Sequence, residues 1–406
     1  MPDSERARLG RLYQELSWLR EEVVREGEAR YEPWRAYIQR PSFASAARNL
    51  ADYLALRRRD LRPLQRELAQ LGLSSLGRVE SRVRENLEAV LATLGRVLGQ
   101  EGPPYPTPEA FFAREAQLEA ATQELFGPGW RPRILVTLPE KAADDSTLVQ
   151  SLVEAGMDAA RINCAHGNPE IWAQMIAQVR QVVGEDFPVL MELSGPRLRV
   201  ASAWADRRLC VGDRLWLCES PPEKAEFFWA AVGLPRVLEG LQVGHRVCMD
   251  EGKLEARVEE RAEGGVWLRV THAQPKGFKL RAEKALNLPD TPLALEPLGP
   301  KDRADLEFAV AHADLLGYSF VQRPEDVERL LLELEARQPR RLRGLVLKIE
   351  TGQAVQNLPE LMVQAAGRWP TAIMIARGTW QWNWVSSGWP KCRRRSSGWR
   401  RPQPYR

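Results

Sequence analysis

The sequence predicts an α/β protein, and three changes of rhythm along the chain predict it. Residues 1 to about 125 carry helical spacing alone. From residue 133 short apolar strands alternate with amphipathic helices, the pattern of parallel βα units. Between about 200 and 280 that alternation is suspended and the period falls to two, the mark of a small β insertion.

In the first stretch Leu9, Leu12, Leu16, Leu19 and Val23 recur every three or four residues and share one helix face. Asn49 to Leu71 and Arg78 to Leu98 repeat the pattern, with many arginines on the opposite side. Gly102-Pro103-Pro104 then breaks it. These residues read as an accessory or dimerisation module over 1–125.

The βα series opens with an apolar strand at Arg133–Leu138. Asp145 or Ser146 offers an N-cap to a helix that Gly156 stops, and Ala159–Cys164 is the second strand. Asn168-Pro169 starts a helix buried through Ile171, Trp172, Met175, Ile176 and Val179, and Pro188–Leu193 is the third strand. In the insertion, Leu254, Ala256 and Val258 alternate, Gly264-Gly265 turns, and Val266, Leu268 and Val270 alternate again. The series resumes with helix Lys301–His312, strand Leu315–Phe320 and helix Pro324–Ala336, then strand Leu342–Ile349, helix Gln353–Ala366 and strand Thr371–Ala376. Six strands fall short of the eight that close a (β/α)8 barrel. The expected architecture is therefore an incomplete TIM barrel, with an inserted β-domain lid and an N-terminal all-helical domain. Its parts are the helical region 1–125, the barrel segments 131–199 and 282–378, the lid 200–281, and a tail 379–406.

Composition narrows the function. With 44% hydrophobic and 28% charged residues the chain is ordinary for a globular protein. Asp3, Glu5 and Arg6 with no apolar run behind them exclude a signal peptide, and no uninterrupted apolar stretch approaches a membrane span. Five cysteines without a C-x-x-C pair suit free thiols in a reducing cytoplasm. The net charge of +4 is confined to the tail, whose seven Lys/Arg face no acid; without them 51 basic residues stand against 54 acidic. A nucleic-acid partner is not expected.

Residues two apart on a strand share a face, so Arg161 pairs with Asn163 and Lys348 with Glu350, at the strand ends where barrel enzymes build their sites. Cations beside a metal-holding carboxylate suit phosphoryl transfer. The same lysine and glutamate also suit a buried structural ion pair, and the pattern alone leaves both open.

The ordered motifs decide further. Gly156-Met157-Asp158-Ala159-Ala160-Arg161-Ile162-Asn163-Cys164-Ala165-His166-Gly167 is similar to the G-M-x-x-A-R-x-N-x-S-H-G segment of pyruvate kinases. Gly195-Pro196-Arg197-Leu198-Arg199 resembles their K-G-P-E-I-R, and Val243-Gly244 with Met249-Asp250-Glu251-Gly252 their lid. Asn287-Leu288-Pro289, Lys301-Asp302, Ser319-Phe320, Leu347-Lys348-Ile349-Glu350 and Ile373-Met374-Ile375-Ala376-Arg377-Gly378 follow in the family's order. The resemblance covers residues 133–378. It implies phosphoryl transfer from phosphoenolpyruvate to ADP, giving pyruvate and ATP, in the cytoplasm, by a homo-oligomer. Arg161 would contact the transferring phosphate, Lys348 would stabilise it, Glu350 would ligate Mg²⁺, and the backbone at Gly378 would meet substrate. Asn163, His166 and Arg199 would lie on the nucleotide side. Asn163, Glu192 and Leu193 would form a K⁺ site. A membrane partner is not implied.

Departures accompany the match. The family's cation-site serine is Ala165, and its Asp-Thr-Lys is Glu192-Leu193-Ser194; potassium dependence is thereby in doubt, although Glu192 keeps the negative charge and Leu193 still offers a backbone carbonyl. Its T-I-G-P-A-S loop is Thr137-Leu138-Pro139-Glu140-Lys141, and its second metal-binding Asp, after Gly378, is Thr379. These departures favour an alternative, a non-catalytic scaffold or interaction protein. The tail 379–406 holds five tryptophans in 28 residues. Tryptophan has one codon, TGG, and a one-base shift turns each into a codon for Leu, Met or Val. Back-translated with suitably chosen synonymous codons and with one G restored after Gly378, the stretch reads Gly-Asp-Leu-Ala-Val-Glu-Leu-Gly-Phe-Glu-Arg, with the family's metal-binding Gly-Asp-Leu in place; only the tryptophan codons are fixed by the protein sequence. The tail is expected to be an out-of-frame product, and the chain as written to be impaired because its barrel is cut short.

Overall fold

The computed structural model describes residues 3–129, 131–196, 198–233, 237–250, 252–291 and 296–376. Arg197, Glu251, Gly378, Thr379 and the tail 379–406 lie outside the described residues.

Five helices come first: α1 (Asp3–Trp34), α2 (Pro41–Arg57), α3 (Arg62–Gln70), α4 (Val83–Leu98) and α5 (Pro108–Phe126). The stripe from Leu9 to Val23 is buried against Leu64, Leu68, Leu87, Leu91 and Leu94, as its spacing requires. The periodic stretch Asn49–Leu71 is not one helix, however. It stops at Arg57 and restarts at Arg62, because Pro63 in the first turn of α3 has no amide proton to continue the ladder.

The βα series begins with β1 (Leu135–Thr137), α6 (Ser146–Glu154), β2 (Ala159–Asn163), α7 (Pro169–Val183) and β3 (Val189–Glu192). Asp145 caps α6 by accepting from the Leu148 amide, and Asn168 caps α7 by accepting from that of Ile171. The insertion follows as β4 (Val200–Trp204), β5 (Arg214–Cys218), β6 (Trp229–Val232), β7 (Arg246–Met249), β8 (Leu254–Ala262), β9 (Gly265–Ala273) and β10 (Leu286–Asn287). They form one seven-stranded sheet in the order β10-β7-β8-β9-β5-β6-β4. This sheet reaches past residue 281, since Leu286 and Asn287 pair with Met249 and Cys248. Gly264, at φ +77°, makes the tight turn between β8 and β9, a conformation that side chains resist. One side of the sheet buries Leu215, Leu217, Leu254, Ala256, Leu268 and Val270. Paired positions place Trp204, Trp229, Trp216 and Trp267 side by side across four adjacent strands, a row not visible in the sequence order.

The series resumes with α8 (Pro300–His312), β11 (Leu315–Tyr318), α9 (Pro324–Arg337), β12 (Gly344–Ile349), α10 (Gly352–Gln356), α11 (Leu358–Ala366) and β13 (Thr371–Ile375). The single helix expected over Gln353–Ala366 is broken at Asn357. Pro359 supplies no amide proton, and the Asn357 side chain instead donates to the Gln322 carbonyl at 2.8 Å.

The six strands β1-β2-β3-β11-β12-β13 form one parallel sheet, the half barrel that the count implied. Its outer face buries Ala160, Ile162, Val189, Met191, Leu316, Tyr318, Leu345 and Leu347 against the helices. The other face carries Leu190, Leu315 and Val346 near its lower end, where Leu125 of α5 packs on them. The amino-terminal helices are tied on elsewhere too. The amides of Gln39 and Arg40 both donate to the Gly367 carbonyl, and Tyr31 and Trp34 share a cluster with Val363. Among the described residues no helix is long and apolar enough to cross a membrane, and Cys164, Cys210, Cys218 and Cys248 are free thiols.

Candidate active site

Parallel register puts Asn163 of β2 beside Glu192 of β3, and Glu192 beside Gly317 of β11. Gly317 in turn aligns with Val346 of β12, two residues before Lys348 and on the same face. Charged side chains therefore converge above the apolar floor of Leu190, Leu315 and Val346, at the carboxyl ends of the strands.

Glu192 is the centre of this convergence. It is fully buried, and its carboxylate accepts from Arg161 twice, at 2.7 Å through Nε and 2.7 Å through Nη2. Lys348 Nζ donates to the same carboxylate at 3.0 Å. Burial raises the pKa of such a group, but the two cations outweigh it and hold Glu192 below the usual glutamate range. Lys348 also stands 3.1 Å from Glu350 and donates to Ser319 Oγ at 3.2 Å. Arg161 donates through Nη1 to Thr137 Oγ1 at 2.6 Å. Glu350, buried in turn, accepts from the Phe320 amide at 2.9 Å. Phe320 sits at φ +57°, a left-handed backbone that a phenylalanine adopts only where its surroundings compel it.

A Cβ at Gly317 would lie 3.0 Å from both Cβ and Cγ of Glu192, so glycine is what lets the glutamate stem pass. The loop after β3 is anchored by Asp302, which accepts from Ser194 Oγ and the Gly195 amide, each at 3.0 Å.

Sequence reasoning paired Lys348 with Glu350 and Arg161 with Asn163. The structure brings Arg161, Glu192, Lys348 and Glu350 into one cluster. Asn163 contributes differently, its Oδ1 accepting from the Ala165 amide at 3.1 Å. His166 meets its neighbours through its backbone, accepting from Trp172 Nε1 at 2.8 Å. Leu193 is buried and its amide donates to the Gly317 carbonyl. Arg199 stands apart at the base of the insertion, donating to the Glu283 carbonyl at 2.7 Å. Thr137, Gly317 and Ser319 were assigned no role from sequence. Aligning β1 with β2 pairs Thr137 with Arg161, so strand register was the signal that pointed to it.

Residues 130–381 match the family model described as pyruvate kinase, barrel domain. The chain belongs to the pyruvate kinase family. The pyruvate kinase of Methylorubrum extorquens is 32% identical over 253 residues, 61% of this chain and 50% of that protein. That of Mycobacterium tuberculosis is 32% identical over 262 residues, 61% of this chain and 51% of its own. The pyruvate kinase of Geobacillus stearothermophilus is 29% identical over 259 residues, covering 61% and 41%. The chain spans about half the length of the curated pyruvate kinases it matches, or less. The matched stretch contains every member of the charged cluster.

Proposed function

We propose that the half barrel is built for the pyruvate kinase reaction, in which a phosphoryl group moves from phosphoenolpyruvate to ADP. The observation that carries this reading is the convergence of Arg161 and Lys348 on one buried carboxylate at the strands' carboxyl ends. Two cations held there neutralise charge on a migrating phosphoryl group without rearranging as it moves. Arg161, partly exposed, is placed to contact the phosphate, and Lys348 to follow its charge during transfer. The bond to the enol oxygen breaks, a bond to the terminal ADP oxygen forms, and the released enolate gains a proton as pyruvate. Asn163, His166, Arg199 and the backbone at Gly378 would complete the nucleotide and substrate contacts, by resemblance.

Magnesium fits the residues present. It is commonly held by one or two carboxylates plus substrate phosphate oxygens, and Glu350 offers such a carboxylate beside Lys348. Among the described residues no group of three or more His, Cys, Asp and Glu forms a metal cage of its own. When bound, the ion would supply further neutralisation of the phosphoryl oxygens. Potassium does not fit the side chains present: Ala165 and Leu193 bring no side-chain oxygen, and Glu192 is engaged by two protein cations. A cytoplasmic location and a homo-oligomer belong to this reading.

A second reading, a non-catalytic scaffold whose helical region binds a partner, is favoured by the same departures at Ala165 and Leu193. A lactate-dehydrogenase-coupled assay separates the two. It is run on the chain, on a version with one G restored after Gly378, and on Lys348→Met in that version. Turnover is expected in the restored protein, falling by roughly 10²–10³ in Lys348→Met. No turnover in the restored protein would favour the scaffold.

A further inference from the structure

On the phosphoryl-transfer reading, the resemblance assigns potassium a place beside Asn163, Glu192 and Leu193. The structure puts something else there. Oε1 of Glu192 accepts from Arg161 Nη2 and Lys348 Nζ, and Oε2 accepts from Arg161 Nε. The side chain is buried, with 1% of its surface exposed. We propose that Glu192 is the positioning residue of this site, tying Arg161 to Lys348 directly, and that the site takes no monovalent cation.

A potassium ion gives up its hydration shell only to several oxygens that replace it. The side-chain oxygens here are engaged or missing. Asn163 Oδ1 accepts from the Ala165 amide, and Ser194 Oγ is held at Asp302, to which it donates. Ala165 and Leu193 end in methyl groups and leave only backbone carbonyls, fewer oxygens than a dehydrated potassium ion requires. A third positive charge against Glu192 would also meet Arg161 and Lys348 at close range and be repelled by both. The length of the side chain matters as well. Where the family pattern has aspartate, glutamate adds one methylene, and Gly317 leaves the room that its stem occupies. That extra reach accompanies direct contact with both cations. The charge arrangement that a bound potassium would otherwise complete is thus internal to the protein.

The test compares potassium chloride with tetramethylammonium chloride at equal concentration, using the chain and its frame-restored version. Thermal unfolding is expected at the same midpoint in both salts. Phosphoenolpyruvate binding, measured by calorimetry, is expected to have the same Kd in both. Glu192→Gln is expected to weaken that binding about tenfold in either salt, as loss of a charge-assisted clamp on two ligand-binding cations would. The triple variant Glu192→Asp, Ala165→Ser and Leu193→Thr is expected to acquire a potassium-dependent rise in melting temperature. A potassium-dependent midpoint or Kd in the unchanged protein would overturn the proposal. So would a Glu192→Gln protein whose binding potassium restores. If phosphoenolpyruvate binds in neither salt, the kinase reading fails, while the melting comparison still decides the cation. Should Glu192→Gln not fold, the unchanged protein's two comparisons remain decisive.

Discussion

Glycine at 317 is the least conspicuous member of the charged cluster and one of the most constrained. Strands β3 and β11 run side by side, and Gly317 faces Glu192 in register. An added Cβ would lie 3.0 Å from two side-chain carbons of Glu192 and 3.1 Å from its Cα. None of these is the far end of a flexible chain, so relief requires moving either the strand or the glutamate stem. Gly317→Ala is therefore expected to destabilise the protein by about 1–3 kcal/mol, the usual cost of overpacking. Because the glutamate is the neighbour displaced, Arg161 and Lys348 lose their common partner as well. Urea unfolding measures the first effect and phosphoenolpyruvate affinity the second. A variant as stable as the parent would show that the strands accommodate the methyl group and that Gly317 does not set the position of Glu192.

At the scale of elements, what the sequence disclosed and what it hid divide by range. Caps at Asp145 and Asn168 were legible because the side chain and the amide it satisfies lie three residues apart. The alternation of Leu254, Ala256 and Val258 was legible for the same reason, and those residues are buried as it requires. Lys348 and Glu350 were legible as a pair because a strand's period fixes a shared face. Their shared partner was not, since Glu192 lies 156 residues from Lys348 and only the order of strands brings them together. The two helix breaks at Pro63 and Pro359 were written in the sequence but overridden by apolar periodicity running through them. The role of α5 was also hidden. Its helical pattern gives no sign that Leu125 leaves the helical region and seats on Leu190, Leu315 and Val346 of the parallel sheet. A Cβ at Gly344 would come within 2.3 Å of Leu125 Cδ2, so the leucine is in close contact with the strand itself. Leu125→Ala is expected to cost about 2–5 kcal/mol, the range for a buried leucine that leaves a cavity. Calorimetric unfolding checks it. A loss confined to the amino-terminal helices, with the sheet's transition unchanged, would show that α5 does not support the sheet.

At the scale of the whole molecule the deciding feature is that, among the described residues, the parallel sheet has two edges. Among the described residues β1 pairs only with β2, and β13 only with β12. Closure of a barrel removes such edges, and an unpaired parallel strand offers its backbone to any other chain. The edge at β13 is also apolar: Thr371–Ile375 reads Thr-Ala-Ile-Met-Ile, and Ile375 is 47% exposed. Charged residues that would blunt such an edge are absent from that strand. The chain as written is therefore expected to associate with itself increasingly as concentration rises. Light scattering after size-exclusion chromatography would show this as a mass that climbs with loading. On the back-translation given above, a restored frame would replace Thr379-Trp380-Gln381 with Asp-Leu-Ala and continue as an apolar, helix-like sequence, the element expected after a sixth strand. That version is expected to elute at one defined mass across the same range and to carry the turnover. The two proteins differ only after Gly378, so a difference between them isolates the tail. A chain as written that is monodisperse and turns over normally would refute both the edge argument and the frame argument at once, whereas resequencing that finds an unbroken frame through the five tryptophans would refute the frame argument alone.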